Sequence, residues 1–180
     1  MDTSKKISNA GFSMVEMLVA LTVLVVAVGL SSSSIVSISG YSRTARETGI
    51  AQSALFDQVE ALKLYDFGSV FADHNGTTSD DGVGAPGPNF EVPGLNVRDG
   101  DPDGFVGRII LPEDPAQPQV LREDLVLPEL DLPADLNLDG AVNADDHAQD
   151  YRLLPIRVVI EWRGDNGPAS VGATAWVGPW

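Results

Sequence analysis

From Met17 to Leu30 the chain reads Met-Leu-Val-Ala-Leu-Thr-Val-Leu-Val-Val-Ala-Val-Gly-Leu, fourteen residues in which Thr22 is the one polar side chain. Valine, isoleucine and serine continue it to Ile38, so about 27 residues are available from Phe12 onward. A helix needs roughly 20 such residues to cross a bilayer. Lys5 and Lys6 precede the run and no basic residue follows it before Arg43. This asymmetry predicts a cytoplasmic N-terminus, with the bulk of the chain on the far side of the membrane. Glu16 breaks the pattern. A lone carboxylate at that depth costs on the order of 2.5 kcal/mol or more, so it calls for a positive partner. Cleavage between Gly11 and Phe12 would create one, an α-ammonium near the same depth on a neighbouring subunit.

The composition narrows the classes of function. The 180 residues carry 11 Lys+Arg against 26 Asp+Glu, a formal net charge of -15. Phosphate backbones would be repelled by such a surface, so nucleic acid is not expected as a partner. Without cysteine, disulfides, thiolate metal sites and cysteine nucleophiles are excluded. His74 and His147 are the only imidazoles, and both read as solvated loop residues. The many carboxylates follow no catalytic motif, so the chain reads as non-enzymatic.

Lys5-Lys6, then Gly11-Phe12-Ser13-Met14-Val15-Glu16, then the apolar run, resembles the prepilin signal of type IV pilins and type II secretion pseudopilins. The resemblance implies a leader, residues 1–11, removed by a prepilin peptidase after Gly11. It implies methylation of the Phe12 amine and a role for Glu16 in subunit assembly. Other pilin or pseudopilin subunits and inner-membrane lipid are the partners it implies. The location would be the bacterial inner membrane, single-pass, with a periplasmic C-terminal domain that later joins a filament. Among such subunits the chain looks more like a minor one, from its helix end Gln58–Lys63 and its closing strands with Trp162. The rival reading is a membrane-anchored cell-surface scaffold or adhesion protein.

Helical periodicity resumes past the serines. Ala51, Leu55, Val59 and Leu62 mark one face, while Arg46, Glu47, Gln52, Asp57 and Glu60 mark the other. The reading is one long helix, its membrane half at 12–38 and its amphipathic half at 39–67, capped by a left-handed Gly68. Residues 68–180 form the globular β domain. It opens with a long loop to Gly104, holding at most one short strand near Phe90–Val92. Strands are expected at Phe105–Leu111, Val120–Leu127, Ile156–Trp162 and Val171–Val177, the last two joined through a Gly164–Gly167 turn. Trp162 and Trp176 fall in these strands. The fold class is α+β: a long N-terminal helix packed on a small antiparallel sheet, as in pilins.

One loop carries a metal pattern. Asp135, Asn137, Asp139, Asn143 and Asp146 occupy positions 1, 3, 5, 9 and 12 of a twelve-residue calcium loop, with Gly140 at position 6. Ala141 would offer its carbonyl at position 7, and Val142 would point into the core. Calcium takes six to eight hard oxygens, which alternate residues of a tight loop supply. With Asp closing it, the loop resembles a dockerin repeat, through which the scaffold reading would bind its partner. Only one repeat is present, so the expectation is a structural Ca2+ clip. Asp99, Asp101 and Asp103 open a similar pattern whose closing positions, Gly107 and Ile110, carry no ligand.

Overall fold

The computed structural model describes residues 13–179, with side-chain surroundings given outside 30–39. The chain divides into two compact units, Met1–Arg43 and Thr44–Trp180. Helix α1, Met14–Leu64, contributes to both. In the first unit the described residues are helical from Met14, and large apolar side chains such as Leu18, Leu21 and Leu24 are exposed. Thr22 is accommodated because its hydroxyl donates to the Leu18 carbonyl at 2.8 Å, one turn back. Among the described residues no helix is long and apolar enough to cross a membrane. The expected span at 12–38 reaches beyond the residues so described.

The second unit is an α+β arrangement. The α1 face holding Ala51, Leu55 and Leu62 is buried with Ile156, Val158, Ile160 and Trp162 of the sheet in one core. The sheet has strand order β1-β2-β5-β6, from Asn89–Phe90 (β1), Gly107–Ile110 (β2), Leu154–Gly164 (β5) and Gly167–Val177 (β6). All neighbours are antiparallel. Alternation in β5 is a physical necessity here. Successive side chains point to opposite faces, so the four apolar residues at every second position go to the helix side. Each such burial contributes about 1.5–3 kcal/mol. The β5–β6 hairpin keeps strict register from Leu154↔Val177 to Gly164↔Gly167 around the Asp165-Asn166 turn. A separate two-stranded ribbon pairs β3 (Glu113–Asp114) with β4 (Gln117–Leu121).

Several expectations need correction. Helix α1 ends at Leu64, and Gly68 does not take the left-handed conformation. A short helix α2, Val70–His74, follows inside what reads as loop. It forms because Val70 and Phe71 bury completely, an apolar pair that acidic and glycine-rich neighbours disguise. The strand expected at Val120–Leu127 stops at Leu121, because Arg122 and Glu123 turn to serve side-chain networks instead of a ladder.

Candidate functional site

The N-terminal element is simple in construction. The Met17 N–H reaches the Ser13 carbonyl at 3.1 Å, which starts α1, and Glu16 lies exposed in the first turn. A carboxylate there faces the positive end of the helix dipole. Gly11 and Phe12, the expected processing residues, lie outside the described residues.

The loop at 135–146 is built by its own oxygens. Asp135 accepts the N–H groups of Asp139 at 3.2 Å and Gly140 at 2.8 Å. Asn137 Oδ1 accepts from Asp139 N at 3.1 Å, Asp139 Oδ1 from Ala141 N at 2.8 Å, and Asn143 Oδ1 from Asp145 N at 2.7 Å. These short-range bonds offer the backbone an alternative to regular structure, which is why no helix or strand forms here. Bonds from the Ala141 N–H and the Asn137 amide hold the Asp139 carboxyl below the usual carboxylate range. Leu138 takes φ 63° and Gly140 φ 93°. Glycine does this freely, but for an exposed leucine it costs roughly 1–2 kcal/mol. Asp146 Oδ1 accepts from Leu121 N at 3.1 Å and Ala148 N at 3.0 Å, so the loop's last residue is tied to the end of β4. The side chain of Val142 is exposed, contrary to the expectation that it enters the core, and the loop's buried apolar residue is Leu136 instead.

Beneath the loop lies a group that the spacing does not reveal. Glu123 is fully buried, and its Oε1 accepts from Leu136 N at 2.6 Å and Asn137 N at 3.0 Å. Its Oε2 is buried with no hydrogen-bond partner and lies 3.5 Å from His147 Nε2. His147 is 4% exposed, and His74 is 3% exposed, so neither is the solvated residue expected from the sequence. His147 Nε2 sits 3.2 Å from Asn143 Oδ1, and its Nδ1 sits 3.1 Å from Asp150 Oδ1. His74 packs edge-on against Tyr65, and burial lowers its pKa. Glu123 stands in a charged run, Arg122-Glu123-Asp124, that reads as solvated surface. The tertiary return of residues 134–147 brings Leu136, Asn137 and His147 against its carboxylate.

The second acidic cluster is arranged differently. Asp99 pairs with Arg163 at 2.9 Å and Asp103 with Arg108 at 3.4 Å. Asp101 Oδ1 accepts the N–H groups of Asp103 and Gly104. Its carboxylates are thus engaged with arginines and turn amides. Among the described residues no three His, Cys, Asp or Glu side chains gather closely enough to hold a metal ion. Asp135, Asp139 and Asp146 of loop 135–146 are therefore not gathered as such a group.

No curated protein and no solved structure matches the chain. Residues 7–32 match the family model of the prokaryotic N-terminal methylation motif, so the front of the chain carries a prepilin-type processing signal.

Proposed function

We propose that the chain is a structural subunit, a minor pilin or pseudopilin, of a type IV pilus-like or type II secretion filament. The methylation motif at residues 7–32 carries this reading. A prepilin peptidase cuts after Gly11 and the new Phe12 amine is methylated. The apolar segment from Phe12 holds the subunit in the inner membrane, with the C-terminal unit on the periplasmic side, until assembly.

Assembly then follows from two properties of the helix. Its described apolar side chains between Met14 and Val28 are exposed, and packing against the same segment of neighbours removes them from lipid or water. Glu16 meets the Phe12 ammonium of an adjoining subunit, and each charge cancels the other's desolvation cost. The α+β unit is then displayed on the outside of the fibre.

Two measurements test this in the native host. Mass spectrometry of the mature protein should find N-methylphenylalanine, from Phe12, as its first residue. Glu16→Gln should still be processed but should fail to enter filaments, a loss of at least tenfold in the sheared fraction. Normal incorporation of the variant, or an uncut N-terminus, refutes the reading.

A further inference from the structure

We infer that the free edge of β6 takes an extended acidic strand from a neighbouring subunit, whose carboxylate meets Arg157. Among the described residues, β6 is 11 residues long and pairs on one side alone, with β5. That register runs without a bulge. Pro168 has no N–H, so its pair with Arg163 is of the kind that exchanges no ladder hydrogen bonds. Alternation puts Ser170, Gly172, Thr174 and Trp176 in the same class, with their N–H and C=O groups aimed away from β5. Among the described residues none of these groups has a backbone partner in another segment. Edge strands are normally blunted by charged side chains, bulges or a covering loop. β6 carries no charged residue, and its one proline stands beside the turn.

The chemistry of the occupant follows from Arg157, which alternation in β5 places on the face away from α1. Its Nη1 donates to Thr174 Oγ1 at 3.3 Å, and that hydroxyl donates in turn to the Glu129 carbonyl at 2.7 Å. Gly172 has no side chain, so the guanidinium lies over it: a Cβ there would stand 3.4 Å from Nη2. Arg157 is thus drawn across β6 toward the open edge and held half-buried. Nearby charges are already matched, Arg163 with Asp99 and Glu161 with Arg98. Among the described residues no carboxylate lies within ion-pairing distance of Arg157. A guanidinium fixed this way offers a carboxylate a two-pronged hydrogen bond. A strand added about 4.8 Å beyond β6 sets its outward side chains beside Gly172 and Thr174, within reach of it. Main-chain bonds give such a strand its hold, and side chains give it selectivity. Trp176, partly exposed on the same face, adds an aromatic contact. A second copy pairing through its own β6 brings no carboxylate to Arg157. The net charge of -15 opposes any acidic ligand, but in about 0.15 M salt that repulsion is screened beyond roughly 8 Å.

The source of the strand, a neighbouring subunit, rests on the filament reading. Its chemistry does not, and is tested on the full chain in detergent micelles. The probes are the end-blocked peptide Val-Thr-Val-Glu-Val-Thr-Val and its counterpart with Lys in place of Glu. With the Glu peptide at about 1 mM, hydrogen exchange at the Ser170, Gly172, Thr174 and Trp176 amides should slow at least twofold, the effect of half occupancy. The alternate amides of β6 should exchange as before. The Lys peptide should bind at least tenfold more weakly, although the net charge of the chain favours it. Arg157→Gln, with an unchanged circular dichroism spectrum, should abolish that preference. Absence of slowing at about 1 mM, or tighter binding of the Lys peptide, overturns the proposal without any variant having to fold. Slowing that grows with chain concentration alone, before peptide is added, puts a second copy on the edge and overturns it as well. A preference for the Glu peptide that survives Arg157→Gln overturns the role of Arg157. None of these results touches processing after Gly11 or the Glu16 variant, which decide the filament reading.

Discussion

Gly107 in β2 is bare because Phe90 occupies the space above it. A Cβ built there would lie 2.3 Å from the ring of Phe90, its register partner in β1. The aromatic side chain thus covers a glycine that would otherwise weaken the strand. Gly107→Ala should destabilise the second unit by about 1–3 kcal/mol through overpacking. In a Phe90→Ala background the same change should cost far less, and equal costs in the two backgrounds would sink the idea. Calorimetric or urea melting reads both. At this scale the sequence was only partly legible. The oxygen spacing of loop 135–146 can be read along the chain, because adjacent residues make the loop's internal bonds. Glu123, His74 and His147 cannot, because a charged or polar residue looks solvated until another segment covers it.

Among elements, the α1 stripe and the alternation of β5 were legible, since each face is set by local geometry and the inner one is largely buried. The β3–β4 ribbon was not, because side chains rather than apolar alternation hold it. Arg122 reaches Asp114 at 2.8 Å and Asp124 at 2.6 Å. Its hydrogen bonds draw both carboxyl pKa values below the ordinary value of 3.8. A depressed acid contributes stability above its unfolded pKa and loses it as pH falls through the folded one. Replacing Arg122 with Gln should therefore lower the melting temperature by a constant gap from pH 7 to pH 5, and that gap should close below about pH 4. A gap independent of pH would show that Arg122 acts through packing instead. Because these groups are near solvent, salt should shrink the gap.

Among the described residues, the buried hydrophobic core, from Ala51 to Val177, belongs to the second unit. A fragment of residues 44–180 should therefore fold alone and melt cooperatively. It carries 8 basic against 24 acidic residues, so self-repulsion should keep it monomeric. Its melting temperature should rise between about 0.01 M and 0.15 M NaCl as the Debye length falls from roughly 30 Å to 8 Å. A broad, gradual melt would show that residues before Thr44 are needed for the fold.

The helix that lines this core lies early in the chain, while β5 and β6, which close it, are the last strands made. Ala51, Leu55 and Leu62 share their core with residues as late as Val177, so their burial is complete only once β6 has been made. The β hairpin pairs near neighbours and zips quickly, whereas the helix must wait for contacts across most of the chain. Completion of this core thus waits for β6, and any factor that shields the nascent helix has the interval between Leu62 and Val177 in which to act.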